Sequence, residues 1–344
     1  MTALNRRLLE KRPLGKNGPL VSELGLGCMG MSGGYGPADD KESIATIHAA
    51  LEAGITYLDT ADVYGMGQNE MLLREALKGG RRERAFIGVK FGAQRGPDGK
   101  WLAVNTHPDA VKTYLAYTLR RLGTEYVDLY QPARVDPKVP IEDTVGAIAE
   151  MVKAGYVRHI GVSEASAATI RRAHAVHPIA ALQIEYSIFS RSIERKILPA
   201  VRELGISVTA YGVLSRGLIA DRPRGEAAPP GEIRTRMPRF HADHYARNLA
   251  AVDALRAIAK EKGCSVAQLA FAWVCSRGED ILPLIGARRR DQLAEGIGSL
   301  GVALSAPDLA HIDAAVHAKR VSGERYSSHL MEQLDSERGS GRGR

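Results

Sequence analysis

The sequence predicts an α/β chain closed into a single (β/α)8 barrel of the TIM type, with an N-terminal β-hairpin and a long loop after the seventh barrel strand. Three observations carry that prediction. Short β-rich runs alternate with amphipathic helical stretches, which implies parallel strands joined by crossover helices. Eight such runs occur along the 344 residues, and eight strands make a closed sheet that its own side chains just fill. Polar residues recur at the C-terminal ends of the runs. A barrel gathers those ends at one mouth, whereas an open doubly wound sheet strings them along an edge.

Taken in order, the predicted strands are 24–28, 55–59, 86–90, 126–131, 159–163, 182–185, 206–211 and 281–285. Each is short and rich in Ile, Val, Leu or Tyr. Gly54, Gly155 and Gly205 precede three of them and fit helix C-caps. Helical pattern fills 41–52, 108–121, 141–153 and 193–203, with Asp39-Asp40 and Thr106-His107-Pro108 as capping residues. Further helices at 245–262, 266–277 and 307–317 complete the fold. Ahead of the barrel, 12–21 with Lys16-Asn17-Gly18 as its turn predicts a hairpin across the barrel bottom. The stretch 221–244 is rich in Pro, Arg and Gly and too long for an ordinary βα connection, so it is expected to carry function or disorder. Residues 1–320 are read as one barrel domain and 321–344 as a C-terminal tail with a flexible end.

Composition narrows the class. The chain is 44% apolar and 25% charged, as soluble globular proteins are. No apolar run approaches the roughly 20 residues of a membrane-spanning helix. The basic start, 1–11, is followed by no apolar stretch with a cleavage site. Cys28, Cys264 and Cys275 are too few and too scattered for a disulfide framework or a zinc ribbon. A cytoplasmic protein is expected, without a membrane partner. The net charge of +8 invites a nucleic-acid reading. Part of the excess, however, sits in 338–344 and part in Arg288-Arg289-Arg290, and the rest is interspersed with acids, which describes a solvated surface rather than a binding stripe.

Gly25-Leu26-Gly27-Cys28-Met29-Gly30 matches the G-x-G-x-x-G dinucleotide pattern and follows a strand. That pattern needs its third glycine to open a helix. Here it leads into Met31-Ser-Gly-Gly-Tyr-Gly-Pro37 instead, so it is read as a glycine-rich loop at a strand end. His241/His244 and His174/His177 are each three apart, but neither pair has a third ligand nearby. They are read as surface histidines, and no metal is expected. No Gly-x-Ser-x-Gly elbow supports hydrolase chemistry.

The residues that carry chemistry come at two neighbouring strand ends. Asp59 and Tyr64 follow the second strand, and Lys90 ends the third. A lysine closing a buried strand needs a carboxylate, because an unpaired buried ammonium is costly; Asp59 is its natural partner. A lysine near a phenol lowers the phenol's pKa from about 10 and lets it act as a general acid near neutrality. A Lys–Asp pair that merely organises loops is the competing reading.

Over roughly 12–319 the chain resembles the aldo-keto reductase superfamily, most closely the bacterial branch related to potassium-channel β-subunits and pyridoxal or aryl-aldehyde reductases. The stretches that carry the resemblance are 24–30, 57–65, 89–91, 122–130, 155–163 and 183–187, in the family's order and at its strand ends. The resemblance implies NADPH-dependent reduction of a small aldehyde or ketone. It assigns Asp59, Tyr64 and Lys90 to the catalytic tetrad, and Ala133 stands where the family has the fourth member, a histidine. Arg134 adjoins that gap, but the family points this residue elsewhere and it is not read as a replacement. For NADPH or NADP+ the resemblance implies Cys28 and Met29 after the first strand, and Ser163 and Gln183 at the carboxamide. Tyr211 is implied against the nicotinamide ring, Leu214, Ser215 and Gly217 at the pyrophosphate, and Gly286, Ala287 and Arg288 near the 2′-phosphate. Gln292 and Glu295 would lie at the adenine. Glu164 and Gly296 replace two asparagines of the family pattern. The substrate pocket is expected from Met29, Tyr35, Tyr64, Phe91 and the 221–244 loop. An NADPH-binding sensor or regulatory subunit with little turnover is the second reading, and a homo-oligomer fits either.

Overall fold

The computed structural model describes residues 9–221, 232–316 and 321–338. Twelve strands run β1 (Lys11–Pro13), β2 (Leu20–Ser22), β3 (Gly25–Gly27), β4 (Tyr57–Ala61), β5 (Phe86–Phe91), β6 (Ala93–Arg95), β7 (Trp101–Val104), β8 (Val127–Pro132), β9 (Val157–Ser163), β10 (Ile179–Glu185), β11 (Ser207–Tyr211) and β12 (Ile281–Gly286). Eight of them close a barrel in the order β3-β4-β5-β8-β9-β10-β11-β12 and back to β3. Every neighbouring pair in it is parallel. All eight predicted strands are present, with ends shifted by up to three residues.

The strands are legible because they are buried on both faces. Every residue of β4 and β5 is buried, as expected of parallel strands covered by helices. The covering helices are α1 (Asp40–Glu52), α2 (Gln68–Ala76), α3 (Pro108–Leu122), α4 (Ile141–Lys153), α5 (Ala167–Val176), α6 (Ile197–Leu204), α7 (Ala242–Glu261), α8 (Val266–Cys275), α9 (Arg290–Gly298) and α10 (Ala306–Ala315). Asp39 caps α1 by accepting from the amides of Lys41 and Glu42. Pro108 opens α3, and Gly123 closes it in the left-handed conformation at φ 64°. The antiparallel pair β1–β2 forms the expected hairpin. Its Leu14 and Val21 join Tyr57, Phe86, Leu129, Ala181, Leu282 and Leu284 in an apolar plug inside the barrel.

The misleading glycine motif has a packing explanation. A Cβ on Gly25 would lie 2.6 Å from Leu284 Cδ2 and 3.0 Å from the Tyr57 ring, so β3 passes between its neighbours only without a side chain. After Gly27 the chain enters a short 3-10 turn, Met29–Ser32, and no α-helix begins until Asp40.

Several elements lie outside the predicted set: α2, α5, α9 and the small β6–β7 hairpin. A further helix, α11 (Ser328–Glu332), belongs to the segment read as a tail. Residues 321–338 fold back across the barrel mouth. Arg325, Tyr326, Asp335 and Ser336 are buried there, and Tyr326, Met331 and Leu334 pack with Met237. The expected flexible end, 339–344, lies outside the described residues, as do 1–8, 222–231 within the long loop, and 317–320.

Candidate active site

Parallel register brings the two strand ends to one level: Asp59 of β4 lies opposite Gly88 of β5, and Ala61 opposite Lys90. Lys90 Nζ donates to Asp59 Oδ1 at 2.7 Å, to Asp59 Oδ2 at 2.8 Å and to the Thr60 carbonyl at 2.8 Å. All three ammonium donors are thereby used. Gln183 Nε2, from β10 across the mouth, donates to Asp59 Oδ1 at 2.7 Å. Lys90 and Asp59 are each 5% exposed. Burial pulls the Lys90 pKa down, and the adjacent Asp59 charge opposes it.

Tyr64 opens a turn directly after β4, and its ring centroid lies 5.0 Å from Lys90 Nζ. This corrects one element of the sequence reading. The three protons of Lys90 are committed to Asp59 and Thr60, and the Asp59 carboxylate lies against its charge. Burial, then Asp59, then Tyr326 and Tyr35 push the Tyr64 pKa well above its ordinary value. The phenol is held in its protonated form.

The remaining expected residues divide into two groups. At the mouth, Ser163 Oγ is buried with no hydrogen-bond partner among the described residues. The Tyr211 hydroxyl donates to Glu164 Oε1 at 2.7 Å and lies 3.0 Å from the Tyr326 hydroxyl. Ser215 and Arg216 both take positive φ, 46° and 61°. Ser215 is buried and accepts from Arg239 at 3.0 Å, with Leu214 and Gly217 half-buried beside it. Met29 is half-buried at the same mouth, whereas Cys28 sits fully inside the wall with its thiol pushed up by burial. The Cys28 amide donates to the Asp59 carbonyl at 2.9 Å.

The second group gathers at the end of β12. Gly286 is exposed and Ala287 buried. Arg288 Nη1 donates to the carbonyls of Tyr35, Gly36 and Pro37 at 2.8–3.1 Å. The Arg288 amide donates to Gln292 Oε1 at 3.1 Å, and Ser265 Oγ donates to Glu295 Oε1 at 2.7 Å. Arg289 and Arg290 pair with Asp291 and Glu42. Gly296 departs from asparagine for a steric reason: a Cβ there would meet Ile285 Cγ2 at 2.8 Å.

Phe91 is corrected as a pocket wall. It is fully buried and stacks on Tyr130 at 4.2 Å between centroids. Strand alternation turns it toward the helix layer because Lys90 turns inward. Of the paired histidines, His244 Nδ1 lies 2.7 Å from Ser322 Oγ, and His174 Nδ1 accepts from the Ile179 amide at 3.2 Å.

Four further residues complete the mouth: Arg325 and Tyr326, which sequence reasoning missed, Glu164, which it noted as a departure from asparagine, and Arg134, which it set aside as a replacement. Glu164 is fully buried in the left-handed conformation at φ 52°. Its carboxylate accepts from both Nη atoms of Arg325, from Ser336 Oγ at 2.6 Å and from Tyr211. Burial alone would raise its pKa, but Arg325 overrides this, with Arg134 and Ser336, and holds the carboxyl down at about 2. The sequence signal was Glu164 itself, since an acid in an asparagine position needs a buried cation. Nothing in the spacing pointed to Arg325 as that cation.

The family model for the aldo/keto reductase family matches residues 23–317. The chain belongs to the aldo/keto reductase family. It is 44% identical over 320 residues to the probable aldo-keto reductase 1 of Glycine max, covering 92% of each chain. Among solved structures, the glycerol dehydrogenase AKR11B4 from Gluconobacter oxydans superposes with TM-score 0.80 at 29% identity, covering 94% of this chain and 96% of that one. The aldo-keto reductase AKR11C1 from Bacillus halodurans superposes with TM-score 0.75 at 28% identity, covering 93% and 99%. This aldo/keto reductase is therefore an oxidoreductase of a family that reduces carbonyl compounds. Among its described residues no helix is long and apolar enough to cross a membrane.

Proposed function

We propose that this aldo/keto reductase reduces an aldehyde or ketone to the alcohol with NADPH, and that Tyr64 gives the oxygen its proton. The observation that carries the reading is the buried Lys90–Asp59 pair set under the ring of a protonated Tyr64 at the mouth of the barrel.

When bound, the nicotinamide supplies a hydride to the carbonyl carbon. Ser163, whose buried hydroxyl lacks a partner, and Gln183 would hold its carboxamide. Tyr211 would lie against the ring, with the Leu214–Gly217 turn near the pyrophosphate and Arg288 near the 2′-phosphate. Arginine suits a phosphate because its planar fork donates in pairs. Tyr64 holds a proton at its hydroxyl for the developing alkoxide. Lys90 keeps positive charge beneath that phenol, and Asp59, itself fixed by Gln183, keeps the lysine in place. Residues 321–338 lie across the mouth and help keep water from the reacting groups.

The test follows NADPH absorbance with 4-nitrobenzaldehyde for the wild type beside Tyr64→Phe. Turnover that falls at least about 10²-fold in the variant, at unchanged NADPH affinity, is expected of a positioned general acid. Tight NADPH binding with no consumption by the wild type would instead favour a sensor or regulatory subunit.

A further inference from the structure

Loss of the family histidine leaves the mouth short of one hydrogen-bond donor, and the neighbouring residue changes that account. Ala133 has no polar side chain, and its amide is committed to the Phe91 carbonyl at 2.8 Å. Arg134, which the sequence reading did not cast as a replacement, reaches Tyr326 at the mouth. Its Nη1 donates back to the Ala133 carbonyl at 2.6 Å. Its Nη2 donates to the Tyr326 hydroxyl at 3.4 Å, and the guanidinium carbon lies 5.9 Å from that ring's centroid. The Tyr326 hydroxyl is in turn 3.0 Å from that of Tyr211. Its positive charge adds a minor lowering to the pKa values of Lys90 and Tyr64, and the run Arg134–Tyr326–Tyr211 links it to the end of β11.

Its neighbours differ from it in one respect. Arg216 lies 3.5 Å from Glu185, Arg239 lies 3.6 Å from Glu185, and Arg325 is bonded to Glu164. Among the described residues no carboxylate forms an ion pair with Arg134. Glu164, the acid whose charge acts on it, is already engaged by Arg325, Ser336 and Tyr211. A half-buried cation whose partners among the described residues are one carbonyl and one phenol keeps donors to spare.

Building on the reductase reading, we propose that Arg134 supplies the hydrogen-bond donor to the substrate's carbonyl oxygen that alanine at 133 cannot, with Tyr326 positioning its guanidinium over the mouth. The proton that ends on the product oxygen still comes from Tyr64. Arg134 keeps all of its protons and stabilises negative charge as it develops on that oxygen. Unlike an imidazole, a guanidinium keeps its charge at every working pH.

The probe is 4-(dimethylamino)cinnamaldehyde, whose absorption band moves to the red when its carbonyl oxygen accepts a strong hydrogen bond. It is bound to the full-length protein with NADP+, where no hydride is available and no turnover occurs. A red shift in the wild type that Arg134→Met abolishes and Arg134→Lys partly keeps is the expected result. In turnover assays Arg134→Met should lower kcat about 10²–10³-fold, as losing one oxyanion donor does, with NADPH affinity changed less than about twofold. No shift in the wild type, or the same shift in wild type and Arg134→Met, overturns the proposal. A wild type that shifts the band but turns over no aldehyde would fail the reductase reading while leaving Arg134 a carbonyl ligand.

Discussion

A phenol that keeps its proton is the form a carbonyl reduction consumes, and Tyr64 is held in that form. The kcat/KM of the reduction reports the pKa values of the free enzyme's essential groups. As the proposed proton donor Tyr64 must be protonated to act, and its pKa is pushed above the ordinary phenol value by burial and Asp59. Its deprotonation therefore cannot shut the reaction down below about pH 10, the unperturbed phenol value. The expected profile has no falling limb from Tyr64 between about pH 7 and 9, measured with a substrate that does not itself titrate. A limb in that window that moves in Lys90→Met would mean that the lysine does draw the phenol down. At this scale the sequence was informative about identity and poor about role. Asp59, Tyr64 and Lys90 were legible from two adjacent strand ends. The distribution of three ammonium protons over Asp59 and Thr60 was not, because a carbonyl acceptor leaves no mark in the residue pattern.

Among the elements, the C-terminal segment departs most from the sequence reading. Its polar, glycine-containing composition reads as a tail, yet 321–338 docks on the β9–α5 connection through four kinds of contact. The Ser336 amide donates to the Glu164 carbonyl at 2.9 Å, the Ser166 amide donates to Asp335 at 2.7 Å, Arg325 pairs with Glu164, and Tyr326 fills the mouth. One of these contacts is a buried ion pair between residues 161 positions apart, a separation that local pattern cannot reveal. Glu164→Gln removes the charge and leaves Arg325 the carboxylates of Glu185 and Glu337 and the hydroxyls of Tyr211 and Ser336. Breaking a buried pair from one side costs about 3 kcal/mol, and the cost should fall on the segment first. Hydrogen exchange of 321–338 is expected to accelerate in the variant while the barrel strands keep their protection; unchanged exchange would show that the pair does not hold the segment. The pH dependence has a definite sign. The Glu164 carboxyl sits at about 2, below its ordinary 4.5. Its contribution is therefore full above about pH 4.5 and lost as pH falls from there toward 2, so acid should loosen the segment in the wild type as the substitution does at neutrality.

For the whole molecule, barrel closure was legible because the strands are largely buried on both faces and return after a helix, a periodicity that survives without knowledge of any contact. The elements that escaped are short or lie in loops: α2 follows a turn with two consecutive left-handed residues, Gly65 and Met66, and β6–β7 is largely exposed. Closure also makes the cofactor question a property of the whole fold, because the proposed contacts are spread over β9, β10, β11 and β12 and the loop after β3. A ligand that joins so many elements stabilises the native state by mass action, about 2.7 kcal/mol at a concentration of 100 times Kd. Arg288 decides which nicotinamide nucleotide gains most. Its Nη1 ties the 35–37 loop to the end of β12, leaving Nε and Nη2 free of hydrogen-bond partners among the described residues to meet a 2′-phosphate. Thermal unfolding should then show a larger rise in Tm with NADPH than with NADH at equal concentration, and Arg288→Met should shrink that difference. The readout is the gap between the two cofactors. Any loosening of the loop lowers both Tm values together, and only loss of the phosphate contact closes the gap. Equal rises with both cofactors in the wild type would mean that the 2′-phosphate is not recognised at Arg288, and the preference for NADPH would have to be given up.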